Sequence, residues 1–457
     1  MAGIGFELRR LLRKNTLFGL LQTYAYASVI GSGPWVFSIV GILLMGLLSV
    51  GLVVPSHLVT QFQTSVTYLV AFSLIWTGLA QLAFTRFISD RLFEKRNEMV
   101  LPNLHGLLLL VLGSAAVLGT VACFVFLSEL SMLYRLLMLA GFALLCGIWV
   151  LTVLLSGMKR YKAITVLFAV SYTLIVLASL VLRHYGLEGL LGSFVLGHLL
   201  LFCGMWVLVL REFNPQHQLI AFDFLERKWL YGSLVLTGFL YNLGIWADKL
   251  MFWIYPDTSQ AIIGSLRASL IYDIPVFLAY LSIIPGMAVF LVRIETDFVE
   301  YYDKFFNAVR QGGSLEEIDS MRDEMIYSIQ SGLGEIAKIQ TLAVLVTFVA
   351  GPVVLRYLGI SELYLPLLHL QVVGAALQVG LMAVLNVFFY LDERRIVVWL
   401  CAELLLLNIV FTGISLELGA VFYGYGFAGA MLITLCTGLQ LLSRELGRLE
   451  YKTFMLQ

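Results

Sequence analysis

Apolar residues fall in about twelve long runs, near 17–50, 58–87, 104–128, 134–157, 163–183, 188–210, 230–255, 265–293, 338–357, 363–390, 395–416 and 421–443, each closed by a short polar stretch. A run of about twenty apolar residues crosses the hydrocarbon core as a helix, because its backbone amides must then be satisfied within the segment. The pattern predicts about twelve transmembrane helices and an all-α polytopic membrane protein. The polar break from Arg211 to Lys228 follows the sixth run and divides the set evenly. Two six-helix bundles are expected, residues 1–210 and 229–457, joined by a cytoplasmic linker at 211–228 and related as parallel repeats around a central cavity.

The longest polar segment, residues 295–337, predicts a helical cytoplasmic insert in the second bundle. Phe298, Tyr301, Tyr302, Phe305 and Phe306 recur at helical spacing as one aromatic stripe. Gly312 and Gly313 break the helix, and Ser314 with Glu317 three residues on forms a capping box for the next. From Glu295 to Glu335 there are ten acids against Lys304, Arg310 and Arg322. Two readings stand: an elbow whose aromatic face packs on the bundle, or a docking surface for a cytoplasmic partner through the stripe, Glu316 and Glu317.

A mean hydropathy of +0.93 excludes a soluble globule. Zero net charge removes any electrostatic case for nucleic acid or an anionic lipid surface. Of the 29 Lys and Arg residues, 24 lie in alternate polar segments, leaving Arg135, Arg183, Lys249, Arg267 and Arg356 in the other set. Positive loops stay inside, so both termini are expected in the cytoplasm. Arg9, Arg10, Arg13 and Lys14 precede an apolar stretch too long for a cleaved signal peptide, so the first helix is expected to direct insertion.

Five cysteines lie inside apolar runs without CxxC spacing, which argues against disulfides and a metal site. The six histidines are scattered, and no phosphate-binding loop, GxSxG or HExxH occurs. No catalytic residue, metal or cofactor is therefore expected. A membrane glycosyltransferase would want metal-binding carboxylates near a cytoplasmic loop, and Glu316, Glu317 and Asp319 read more simply as a helix surface.

Ionisable residues within apolar runs are costly and hence functional candidates. Asp273, about ten residues into the eighth run, and Glu403 in the eleventh are expected near mid-depth as a cavity or proton site, or as structural groups. Asp248 and Lys249 lie nearer the outer end of the seventh run, with Arg267 at similar depth in the eighth. Helical neighbours point about 100° apart, so Asp248 is expected to pair with Arg267 rather than Lys249. The three form either a salt-bridge lock or an outer gate.

Helix breakers mark further positions. Gly31, Ser32, Gly33 and Pro34 should kink or unwind the first helix, and Pro275 and Pro285 should bend the eighth in two places. Trp35, Tyr241 and Trp246 could line a path, since sugar rings lie well on aromatic faces. Trp253 and Tyr255 fit an interfacial belt better.

The opening MAGIGFELRRLL, the following YASVIGSGPWVFSIVGILLMG, the GIWADKLMFW stretch of the seventh run and the long insert after the eighth resemble the PelG family of Pel exopolysaccharide transporters. That family lies within the multidrug/oligosaccharidyl-lipid/polysaccharide (MOP) flippase superfamily. The resemblance extends along the whole chain. It implies two six-helix bundles around a central cavity in a bacterial inner membrane. It also implies export of an N-acetylgalactosamine-rich polymer made by a cytoplasmic PelF-like glycosyltransferase, with PelD-like and PelE-like membrane subunits. It brings no catalytic residues. Other readings are a flippase for lipid-linked oligosaccharides or an ion-coupled antiporter of the same fold; less favoured are a membrane glycosyltransferase and a scaffold.

Overall fold

The computed structural model describes Tyr24, Ala27, Ser28 and residues 56–158, 160–213, 218–357 and 360–455. The described residues are almost wholly helical. The chain separates into two compact units, one of Gly33–Trp246 and Phe252–Ser269, the other of Met1–Ser32, Ala247–Met251 and Leu270–Gln457.

The first unit holds helices α1 (Ser56–Phe93), α2 (Val100–Phe126), α3 (Met132–Gly157), α4 (Tyr161–Leu182), α5 (Gly186–Glu212) and most of α6 (Gly232–Ile254). At about 1.5 Å per residue α1 runs for about 57 Å, well beyond the roughly 30 Å hydrocarbon core. Its polar residues are satisfied inside the unit: Ser65 and Tyr134 hydroxyls meet at 2.6 Å, and Trp149 Nε1 donates to Ser73 Oγ at 2.9 Å. Ser131 caps α3 by accepting from the Tyr134 amide, and its own hydroxyl donates to Glu188.

Small residues let two helices touch backbone to backbone. An added Cβ at Gly238 would lie 2.1 Å from the Gly78 carbonyl oxygen, and one at Gly78 would lie 2.6 Å from that of Gly238. This close approach of α1 and α6 gains dispersion contacts where the hydrophobic effect between helices is absent.

The polar break after α5 is built onto the ends of α1 and α2. The Ala221 amide donates to the Pro102 carbonyl at 3.0 Å, and Asn103 exchanges two 2.8 Å bonds with Asp223. Phe224 packs on Phe84 and Phe87, and the buried Arg91 guanidinium lies 3.6 Å from the Trp229 ring centroid while pairing with Glu94.

After α6 the chain forms an antiparallel hairpin, β1 (Gln260–Ile263) and β2 (Leu266–Ala268), instead of starting the expected eighth span at 265. Gly264, with φ of 53°, supplies the left-handed residue that a tight two-residue turn demands. The following helix starts only at Leu270, so Asp273 lies in its first turn rather than ten residues in.

The second unit contains α7 (Leu270–Leu281), α8 (Ile284–Val292), α9 (Val299–Arg310), α10 (Leu315–Tyr357), α11 (Leu365–Tyr390), α12 (Arg394–Leu418), α13 (Tyr425–Leu446) and α14 (Leu449–Met455). Pro285 sits in the first turn of α8, where its missing amide costs nothing, and α7 and α8 meet at 40°. Pro275 is carried inside α7 without ending it. A π-helical turn, Arg293–Phe298, leads into α9. Gly312, with φ of 68°, reverses the chain, and Ser314 Oγ accepts the Glu317 amide at 3.2 Å. The next helix, α10, is continuous for 43 residues, so the second helix of the insert and the ninth span are one rod.

Among the described residues eight helical runs are long and apolar enough to cross a membrane, nine if the bent α7–α8 pair counts as one span. The run Lys162–Glu212 contains both α4 and α5, and α6 carries Asp248 and Lys249 within its apolar stretch. With the first expected span almost wholly outside the described residues, this is consistent with twelve.

The Gly78–Gly238 contact predicts that Gly238→Ala lowers stability by about 1–3 kcal/mol through overpacking. Gly113→Ala, where an added Cβ meets nothing within 4 Å, should not. Thermal unfolding midpoints of the two variants in detergent provide the comparison.

Candidate functional site

The second unit is organised around one carboxylate. Asp248 on α6 has no solvent exposure and its neighbour Lys249 only 3%. Lys249 Nζ lies 3.1 and 3.0 Å from the two Asp248 oxygens. Tyr272 Oη, from the first turn of α7, donates to Oδ2 at 2.6 Å, and Asn408 Nδ2, from α12, donates to Oδ1 at 3.2 Å. Thr412 Oγ1 holds the Asn408 amide by donating to its oxygen at 3.0 Å. Tyr280 and Gln378 add a 3.0 Å bond between α7 and α11. The ammonium of Lys249 lies 4.4 Å from the Phe427 ring centroid on α13 and 5.7 Å from that of Tyr280.

Burying an ion pair this deeply costs several kcal/mol per ion unless each lone pair and proton finds a partner. Here the carboxylate receives donors from three side chains, and aromatic faces surround the ammonium. The expected pairing of Asp248 with Arg267 is corrected: the carboxylate is bonded to Lys249, Tyr272 and Asn408. The 100° rule describes where Cβ atoms point, whereas four methylenes let a lysine head curl back onto its neighbour. Arg267 instead donates from Nε and Nη2 to Ser259 Oγ and its carbonyl, at 2.8 and 2.9 Å, and pins the hairpin. Its own carbonyl accepts from Tyr68 at 2.8 Å.

The other candidates lie elsewhere. Glu403 is half-buried on α12; one oxygen accepts from Thr437 at 2.9 Å, and the other is buried without a hydrogen-bond partner among the described residues. Five residues separate it from Asn408, so the two face different sides of the helix. Asp273 is half-buried in the first turn of α7. Trp246 tilts against Trp253 at 6.1 Å, and Tyr241 is half-buried on the same helix. Gly31, Gly33, Pro34 and Trp35 lie outside the described residues.

In the insert, Phe298 and Phe305 have no exposure. Phe298 meets Tyr390 of α11 edge-on at 5.4 Å, and Tyr302 lies 5.6 Å from the same ring. Tyr301, Tyr302 and Phe306 are half-buried, while Glu316 and Glu317 are exposed. Arg293 in the π-helical turn grips Glu335 of α10 through Nε and Nη2 at 2.6 and 2.8 Å, and Asp297 at 2.7 Å. Arg322 pairs with Asp323 and with Glu450 of α14.

Asn408, Thr412 and Gln378 were not singled out by the sequence reading. Their signal was a lone amide or hydroxyl inside an otherwise apolar run, as in LLLLNIVF around Asn408. Among the described residues no group of three or more His, Cys, Asp or Glu could hold a metal.

A family model described as "PelG: Putative exopolysaccharide Exporter (EPS-E)" matches residues 1–454. No curated protein matches. Among solved structures, an outward-facing multidrug resistance MATE family transporter of the MOP superfamily has a TM-score of 0.67 at 14% identity, covering 94% of this chain and 96% of that one. A MOP superfamily transporter from Pyrococcus furiosus, whose binding pocket is described as reversed in polarity, has a TM-score of 0.65 at 15% identity, covering 93% and 96%. This chain shares their fold.

The geometry around Asp248 predicts strong coupling. Asp248→Asn leaves the Lys249 charge buried without its counter-charge and should cost about 3–5 kcal/mol, as should Lys249→Met for the carboxylate. The double variant should recover much of that loss, measured as a double-mutant cycle on unfolding of the purified protein.

Proposed function

The chain belongs to the PelG family of exopolysaccharide exporters, and from this membership we propose that it carries a hexosamine polymer, rich in N-acetylgalactosamine, from cytoplasm to periplasm across a bacterial inner membrane. It is a multi-pass transporter, not an enzyme. The observation that carries the reading is the family match over nearly the full length. The segregation of basic residues supports cytoplasmic termini, and the polar break at 211–228 supports two bundles of six spans. In this reading the bend between α7 and α8 at Pro285 accompanies opening of the path. Tyr241 and Trp246 offer flat apolar faces to passing sugars.

The polymer would come from a PelF-like glycosyltransferase, held with PelD-like and PelE-like subunits at the insert. Burial of Phe298 and Phe305 leaves Tyr301, Glu316 and Glu317 as the surface for such docking. Reversing that surface with Tyr301→Ala, Glu316→Lys and Glu317→Lys spares the core contacts with Tyr390. The triple variant should reach the membrane, lose a co-purifying glycosyltransferase, and lose polymer in the medium. Unchanged co-purification and export would remove the docking role.

Ion coupling is a second element of the reading, supported by the buried oxygen of Glu403 that has no hydrogen-bond partner among the described residues. Glu403→Gln should abolish export with the protein still in the membrane. Normal export by this variant would exclude Glu403 as a coupling group.

A further inference from the structure

The bend between α7 and α8 is held from outside the two helices. In an unbroken helix the carbonyl of Leu281 would accept from residue 285, and proline has no amide to give. The helix therefore stops at Leu281 and starts again at Ile284, bent by 40°. One residue on, the Ser282 carbonyl accepts from a side chain, Gln340 Nε2 of α10, at 3.1 Å. The Gly286 amide, which would serve that carbonyl in a continuous helix, stands in the first turn of α8 and makes no bond to it.

The seat of Gln340 is close-fitting. Its side chain is 3% exposed, and an added Cβ at Gly286 would lie 2.1 Å from its Oε1, so any side chain there would push the amide off. Oε1 is itself buried with no hydrogen-bond partner among the described residues, an unfavourable state that the bent form carries. Each side of the break is fastened separately. Upstream, Tyr272 donates to Asp248 and Tyr280 donates to Gln378 of α11; downstream, Arg293 at the end of α8 grips Glu335 of α10, the helix that carries Gln340. Ser282 and Ile283 are the link between the two.

We propose that Gln340 is the latch of a two-state bend. In the bent form it supplies the donor for Ser282; in a straighter form the Gly286 amide supplies it through an ordinary helical bond, and Gln340 is released. One hydrogen bond is exchanged for another, so the two forms lie close in free energy. Because α10 continues from the insert, a load on the insert reaches the latch through one helix. A gating role for the latch rests on the proposed part of the bend in opening the path; the latch itself does not.

Pulsed electron paramagnetic resonance of the full chain in lipid nanodiscs tests this, with the five native cysteines replaced by alanine and nitroxides on Ile271→Cys and Asp303→Cys, exposed positions on either side of the bend. With Gln340 and Gly286 intact, the shorter distance of the bent form should dominate. Gln340→Leu, which keeps the volume and removes the donor, and Gly286→Ala, which expels the amide, should each move most of the population to a longer distance. The double variant should go no further than either, since both act on one contact. Gly334→Ala, on α10 with nothing within 4 Å of an added Cβ, should leave the distance as it was. Unchanged distances in both single variants, an additive change in the double variant, or an equal shift in Gly334→Ala would each overturn the latch. Shifted distances with normal polymer export by Gln340→Leu would keep the latch and remove the bend from the path.

Discussion

A carboxylate that cannot reach water sets the terms for the second unit. With Asp248 unexposed, every oxygen lone pair must be met by a protein donor, and those donors come from α6, α7 and α12. Separating any of these elements would leave a charge unpaired in an apolar interior, a penalty of several kcal/mol. The turn Ala247–Met251, the start of α7 and the middle of α12 are therefore bound to move together. Under the proposed export, a conformational change that keeps these charges satisfied would act around this assembly, as the break between α7 and α8 allows.

The insert follows a related rule with apolar groups. The π-helical turn at Arg293 shifts the helical register, and Arg293 uses three nitrogens to fasten that turn to Glu335 and Asp297. That clamp lays α9 against α11, so Phe298 and Phe305 become core while the acidic face stays wet. Because α10 runs unbroken from the insert into the ninth span, a load on the insert surface acts on a rod of about 65 Å rather than on a loose loop. A partner bound there would have mechanical access to the membrane-embedded part of the same helix.

Much of this fold was legible because length and apolarity alone decide whether a segment can span a bilayer. The capping box at Ser314 and the breaks at Gly312 and Pro285 were legible for equally local reasons. The hairpin was not seen, since strands of four and three residues are lost inside an apolar run, although the Gly264–Ser265 pair between QAII and LRA was its signal. That omission displaced Asp273 from its expected depth. The Asp248 cluster was half legible: an intramembrane acid announced itself, but its partners depend on side-chain reach and on helices 24 and 160 residues away. Nothing in the sequence pairs Gly78 with Gly238, because a backbone contact has no side-chain pattern to read.

The pairing of Asp248 with Lys249 also bears on how such a transporter is driven. A covalently tethered ammonium has a high effective concentration set by its short tether and cannot leave with a substrate or down a gradient. The cluster is thus neutral by construction, and an external cation would have to displace a built-in one to bind there. Under the proposed ion coupling, a carboxylate oxygen with no hydrogen-bond partner among the described residues, such as the second oxygen of Glu403, would be better placed to exchange a proton. A polymer needs no deep charged trap in any case: passage favours many weak, replaceable contacts, since a site that binds too tightly does not release. On that argument the buried Asp248–Lys249 pair holds the frame of the second unit, and the proposed path would be left to aromatic and uncharged surfaces.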